Sequence, residues 1–482
     1  MARPAEAHEA AIGVIGIIEA VEEMQAALVL LSQNVAGKFG SESVTWTDSR
    51  SAARRLKMDR QVADHSESRF AAYVQALTSV MGHAHRAAAL KDYCVGLLAA
   101  EGRKSVEPIA AVTAPAKVSA QHQKLLHFIA NGAWSDKQVL AKVREFVLPT
   151  IERYGPIEAW IIDDTSFPKK GSHSVGAHHQ YCGELGKQAN CQVVVTLSLA
   201  NHHASLPIGY QLYLPEAWTE DAARRKETRI PDSVYFKTKP QMALEQIQAA
   251  CEAKVPRGVA LMDSAYGSDT SLRNGMRTLE LRYVVGIWSH VKVQAVGTAG
   301  ERGPRSSVKD LALRLPHYAW RTITWREGTN DVLRSRFSRV RVHASPTRGR
   351  RGQPEETLLI EWPEEETEPT KYWLSNLDEK TPFRRLVDLA KLRWRIERDY
   401  LDLKQEIGLG HYEGRGWPGF HHHGALCIAA YGFLISEQGT IPPSGARSSR
   451  RLTMPAIPEN YRPRGAPDPT RTPRSKFDRD AA

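Results

Sequence analysis

Trp160-Ile-Ile-Asp163-Asp164-Thr165 marks the point where the chain changes its period. Upstream, apolar residues recur at helical spacing: Phe70, Tyr73, Val74 and Leu77 form one face, and Leu90, Tyr93, Leu97 and Leu98 form the next. Two more faces run through Leu125, Leu126, Phe128 and Ile129, and through Val139, Leu140, Val143, Phe146 and Val147. Apolar residues at i, i+3, i+4 and i+7 predict amphipathic helices. From Ala159 onward the pattern shortens to apolar, β-branched runs, which predict strands at 159–163, 191–199, 208–214, 259–263 and 283–287. Helical patterns at 241–254 and 271–279 separate the last three.

Strand, antiparallel neighbours, helix, strand, helix, strand outlines an α/β fold with a ribonuclease-H-like mixed sheet, preceded by an α-helical domain. Two of these strands run out in carboxylates, at Asp163-Asp164 and at Asp263 in Val259-Ala-Leu-Met-Asp263-Ser-Ala-Tyr-Gly267. A third carboxylate lies far downstream, in Leu389-Ala-Lys-Leu-Arg393-Trp-Arg-Ile-Glu397-Arg-Asp-Tyr-Leu-Asp-Leu-Lys404. Read as one helix, that stretch stacks Arg393, Glu397 and Lys404 along a stripe, with a carboxylate between two cations and Leu389, Leu392, Ile396 and Leu403 anchoring it. Oxygen ligands from separate elements suit Mg²⁺, and paired divalent ions suit phosphoryl chemistry. Asp163, Asp263 and Glu397 are therefore the candidate catalytic and metal residues. Neighbouring side chains on a strand point to opposite faces, so only one of Asp163 and Asp164 belongs to the set. Asp163 is favoured, and Asp164 stays open. Lys169 and Lys170 follow closely enough to reach a phosphate.

Lys+Arg exceed Asp+Glu by 65 to 54, a net charge of +11. Such a balance favours polyanionic partners through counterion release. Five scattered cysteines without a Cys-x-x-Cys pair suit a reducing compartment and no structural zinc. The run Ile12–Ile18 is too short for a membrane span and lacks the basic flank of a signal peptide, so a cytoplasmic, nucleoid-associated protein is expected. No Gly-x4-Gly-Lys-Ser/Thr motif is present, and no ATP requirement is expected. His421-His422-His423 would point apart on a helix and are not taken as metal ligands. Trp320, Trp325 and Trp373 are candidates for stacking on an unpaired base.

Residues 290–371 read as a β-rich basic insertion. In Val332-Leu-Arg334-Ser-Arg336-Phe-Ser-Arg339-Val-Arg341-Val the charges alternate with other residues, so one strand face is expected to present Arg334, Arg336 and Arg339 to a phosphate backbone. The expected divisions are an unassigned extension at 1–55, a helical DNA-binding domain at 56–155, a catalytic domain at 156–289 and 372–438 around the insertion, and a disordered basic tail at 439–482. The extension begins with one amphipathic helix.

An ordered series of short motifs carries a family resemblance. Asp163-Asp-Thr-Ser-Phe-Pro-Lys-Lys-Gly171, His173-Ser-Val-Gly176, Gln180-Tyr-Cys-Gly183, Asn190-Cys-Gln192, Leu212-Tyr-Leu-Pro-Glu-Ala-Trp218, Asp263-Ser-Ala-Tyr-Gly267 and Tyr412-Glu-Gly-Arg-Gly-Trp417 resemble the DDE transposases of bacterial insertion sequences, in particular the group typified by insertion sequence 701. The resemblance spans roughly residues 60–437. It implies a ribonuclease-H-like catalytic domain, interrupted between the second Asp and the Glu, that cuts and joins DNA with two Mg²⁺ ions, for which Mn²⁺ can substitute. It also implies double-stranded element ends and target DNA as partners, handled by a homodimer. The wider superfamily carries a Tyr-x2-Arg-x3-Glu-x6-Lys signature. Arg393, Glu397 and Lys404 match it, Ala390 stands at the Tyr position, and the signature implies DNA-phosphate contacts for Arg393 and Lys404. A decayed or co-opted transposase that only binds DNA, and a simple metal-dependent nuclease, are the alternatives.

Overall fold

The computed structural model describes residues 66–297, 299–327, 332–344 and 354–438. The expected N-terminal helix, the basic tail and the loop Arg348–Gly352 lie outside them. All described residues belong to one compact unit.

Twelve strands form one mixed sheet: β1 (Ala159–Pro168), β2 (His178–Cys182), β3 (Lys187–Ala200), β4 (Ser205–Leu212), β5 (Val259–Met262), β6 (Tyr283–Ile287), β7 (Lys292–Val296), β8 (Arg302–Ser307), β9 (Arg321–Glu327), β10 (Val332–Ala344), β11 (Glu355–Trp362) and β12 (Lys371–Ser375). The main path runs β2-β3-β1-β5-β6-β12-β11-β10-β7-β8, with β4 on β3 and β9 on β10. β1 lies antiparallel to β3 and parallel to β5, which is parallel to β6. β1 and β3 are buried over most of their length, because a central strand covered on both faces must be apolar almost continuously. This is the mixed α/β class that the change of period predicts.

The strands of 290–371 do not form a sheet of their own. β12 pairs with β6 on one side and β11 on the other, so they extend the central sheet. The arginines of β10 do not share one face, contrary to expectation. β10 pairs with β11 in continuous register from Arg336 to His343. Side chains alternate, so Arg334 and Arg336 fall on one face while Arg339 and Arg341 fall on the other; the three-residue step from 336 to 339 breaks the row.

The helices Arg86–Ala99, Val118–Asn131 and Asp136–Glu152 share one hydrophobic core with the sheet. Trp417–Gln438 runs through that core, with every residue from Gly419 to Ala430 buried. A helix apolar all round can only be an interior one. A Cβ on Gly424 would lie 2.3 Å from the Tyr210 ring, so glycine is what lets this helix approach β4.

The stretch expected as one helix from Leu389 to Lys404 is two, Phe383–Leu392 and Trp394–Gln405. Arg393 is the junction. The amide of Ile396 donates to the carbonyl of Arg393 at 3.2 Å, a tighter i to i+3 turn than the α-helix makes.

Candidate active site

β1 carries both aspartates of the dipeptide in mid-strand and not at the strand end expected, since pairing with β3 continues to Pro168, and alternation sends the two to different partners. The Asp163 carboxylate accepts from Arg393 Nη1 at 2.5 Å and from the Asp164 amide at 2.9 Å. Thr196 on β3 donates to the Asp163 carbonyl at 3.0 Å, which fixes the strand beneath it. Asp164 accepts from Lys239 Nζ at 2.5 Å and from the Tyr266 hydroxyl.

Asp263 ends β5 and caps the short helix Ser264–Gly267, accepting from the amides of Ala265 at 3.0 Å and Tyr266 at 3.2 Å. The turn depends on backbone crowding. A Cβ on Gly267 would stand 2.0 Å from the Gly286 carbonyl oxygen, so the motif can press against β6 only with glycine there. Glu397 projects from the first turn of Trp394–Gln405, with its side chain 60% exposed, and accepts from Arg393 Nη2 at 2.7 Å. One guanidinium therefore bridges Asp163 and Glu397, which are 234 positions apart in sequence.

Charge ties Asp263 to the same locus. Burial pushes the Asp163 carboxyl up to about 7, Arg393 pulls it back, and the negative charge of Asp263 pushes it up again. Burial alone would lower the Arg393 guanidinium, yet Asp163, Glu397 and Asp263 together hold it above its ordinary value. The donor set is all oxygen and carries excess negative charge in a desolvated place, which fits a hard divalent cation. Among the described residues no three potential ligands converge within metal-binding distance. Arg393 lies between two of the carboxylates and supplies the positive charge there.

Lys404 shares the helix and the face of Glu397, as the stripe requires, but its ammonium binds elsewhere. Its Nζ donates to Glu184 Oε2 at 2.7 Å and to the Ser166 carbonyl at 2.9 Å. Seven residues of helix advance about 10 Å, too far for an ion pair with Glu397, so the lysine turns to the end of the β2–β3 hairpin. Lys169 donates to the Tyr412 carbonyl at 3.2 Å, and Lys170 is exposed. On β10, Arg334 pairs with Glu364 at 3.4 Å, Arg336 stacks over Trp362 at 4.7 Å, and Arg339 donates to the Thr381 carbonyl at 3.0 Å.

The three adjacent histidines serve the core. His421 contacts the Trp417 carbonyl, His422 lies between the carbonyls of Ile129 and Trp134, and His423 meets the Tyr93 hydroxyl and the Gly408 carbonyl. Trp373 is buried, and Trp320 packs edge-on against Trp362. Lys239 and the Tyr266 hydroxyl were not anticipated as neighbours of the site. Tyr266 sits three residues after Asp263, a spacing that only the capped turn makes meaningful. Lys239, at a helix start 75 residues after Asp164, carries no local signal.

A family model described as DDE superfamily endonuclease matches residues 75–332, just over half of the chain. A curated relative described as "Probable transposase for insertion sequence element IS701", from Microchaete diplosiphon, is 25% identical over 333 residues, covering 68% of this chain and 77% of that protein. Among solved structures, a piggyBac transposase synaptic complex with hairpin DNA aligns with a TM-score of 0.36 and 13% identity, over 72% of this chain and 66% of that one. The NurA nuclease from Sulfolobus solfataricus aligns at 0.22 and 9%, over 62% and 88%. At such TM-scores neither likeness bears on the fold.

Proposed function

Because the chain belongs to the DDE superfamily of endonucleases and is similar to the insertion sequence 701 transposase, we propose that it is a transposase that cuts DNA at the ends of its own element and joins them to target DNA. The observation that carries this reading is the Arg393 bridge between Asp163 and Glu397, with Asp263 close enough to push up the Asp163 carboxyl. Asp163 and Glu397 meet at one guanidinium only after folding, with Asp263 near enough to act on Asp163 by charge, and metal-assisted phosphodiester chemistry draws on carboxylates from such separate elements. The strand order β4-β3-β1-β5-β6, with the first three antiparallel and the last three parallel, supports a ribonuclease-H-like core.

Asp163, Asp263 and Glu397 would hold the divalent ions. Mg²⁺, or Mn²⁺ in its place, supplies Lewis-acid charge for activating the attacking oxygen and offsetting charge on the leaving one. Arg393 orients two of the carboxylates by a hydrogen bond to each. Displaced from them, its fork fits a phosphate equally well. Lys404, Lys169 and Lys170 line the β1 end as phosphate contacts. Arg334 and Arg336 on one face of β10, and Arg339 on the other, add charge farther out. The active form is a homodimer on double-stranded DNA at the nucleoid, without ATP.

The test is cleavage of linear DNA carrying the element's ends, with Mg²⁺, by Asp163→Asn, Asp263→Asn and Glu397→Gln. Each should lower the rate at least about a hundredfold while end binding persists, because each removes a ligand and not a phosphate clamp. Wild-type cleavage by Asp263→Asn would overturn the assignment.

A further inference from the structure

Between the helix Ala222–Thr228 and the helix Lys239–Glu252, the chain crosses the surface beside the carboxylates as Ser233-Val-Tyr235-Phe236-Lys237-Thr-Lys239. The residues before the helix lie outside regular structure. Phe236, 36% exposed, meets the Tyr213 ring edge-on at 6.5 Å. Tyr235 is 63% exposed. Lys237 Nζ lies 4.4 Å over the Tyr235 ring and pairs with Glu245 at 2.7 Å. Lys239 Nζ lies 5.6 Å from the Tyr213 ring and bonds Asp164, the neighbour of Asp163. Thr238 caps the following helix with a reciprocal capping box, which holds the end of this segment in place.

An aromatic ring left in water, with one ammonium over its face and a second two residues further on beside Asp164, has little to do for the fold. It is, however, the pattern that binds a nucleic-acid strand: the ring stacks on a base while the cations follow the backbone. We propose that Tyr235, Lys237 and Lys239 form a track for an unpaired DNA strand leading to Asp163, with Tyr235 stacking on a base and the two lysines contacting phosphates. The track rests on the transposase reading for its substrate. It is continuous with that site through the Lys239–Asp164 pair, and each ammonium keeps donors beyond those its carboxylate partner uses. The partner is an unpaired strand because a base inside a duplex already has its faces covered by its neighbours.

The experiment measures binding of the full chain to a labelled 20-nucleotide oligothymidine and to a duplex of equal length, across a salt series. Tyr235→Ala should weaken oligothymidine binding roughly 5- to 100-fold, with little change for the duplex and an unchanged unfolding midpoint. Tyr235→Phe, which keeps the ring, should bind like the wild type. Lys237→Gln with Lys239→Gln should reduce the slope of log affinity against log salt by about 1.4 for the single strand. The track is overturned if Tyr235→Ala binds oligothymidine as tightly as the wild type, if it weakens both probes equally, or if the double lysine variant keeps its slope. Should the wild-type protein bind neither probe, the transposase reading fails and the track with it.

Discussion

Asp163 and Asp164 are adjacent, yet they do different work. Asp163 shares Arg393 with Glu397 and feels the charge of Asp263, whereas Asp164 holds Lys239 and the Tyr266 hydroxyl. On the proposed reading, removing the first takes away a metal ligand, whereas removing the second loosens a neighbouring cation and a phenol. Asp164→Asn should therefore retain measurable cleavage where Asp163→Asn retains none, with rates compared on the same end-containing DNA. The opposite ranking would shift the metal ligand by one residue. The strand's alternation limits the ligand to one of the pair, but the choice between them depends on where Arg393 and Lys239 arrive from, 230 and 75 positions away.

At the level of elements, the helix Phe383–Leu392 is fastened to the sheet by one buried lysine. Lys391 Nζ donates to both oxygens of Glu361 on β11, at 2.5 and 2.6 Å, with both side chains largely shielded from water. Trp325, Phe337 and Trp373 surround the same ammonium, the nearest ring centroid at 4.4 Å. Breaking one side of such a pair leaves a charge buried alone, so Lys391→Met should lower stability by about 3–5 kcal/mol in denaturant unfolding. Adding Glu361→Gln should recover much of the loss, because the stranded charge is then gone. Recovery would show that the pair holds register between helix and sheet more than it adds net stability. This contact matters for the site because the helix leads directly into the Arg393 junction.

Across the whole molecule, the buried histidine layer makes stability depend on pH. The His423 imidazole is lowered to about 4, chiefly by burial, with His411 and Lys169 adding to the shift and the Gly408 carbonyl opposing it. Tyr93, Tyr412 and Cys427 pack against it as neutral groups. His421 and His422 are lowered as well, chiefly by burial. The unfolded chain takes up protons below about 6.5 that the folded chain refuses, so this contribution is intact above that pH and is lost as pH falls toward 4. For His423 alone the loss is roughly 3 kcal/mol. Buried Asp399, pushed up to about 6 by desolvation, works in the opposite sense, since folding gains a proton there as pH falls. The measurement is therefore a difference: unfolding free energy at pH 7.5 minus that at pH 4.5, for wild type and for His423→Asn. The variant should show a smaller drop on acidification; an equal drop would place the protonation elsewhere.

The sequence alone determined the mixed α/β class and which carboxylates are candidates for the site. Both are written in local periodicity: apolar runs that end in Asp163 and Asp263, and a helical pattern carrying Glu397, each legible within a dozen residues. The i to i+4 bond from Arg393 to Glu397 is of the same kind and is present. What only the tertiary structure decided are the long-range pairings. Lys404 reaches Glu184, Lys239 reaches Asp164, and the strands of 290–371 join the central sheet through β12. The break at Arg393 belongs here too, because helical spacing continues unbroken through it while its guanidinium bridges β1 and the following helix. The physical reason is one of range. Side-chain periodicity sets which face a residue occupies, but the partner on that face depends on how strands 100 or more residues apart close into a sheet, and a charge settles on the opposite charge that closure brings within reach.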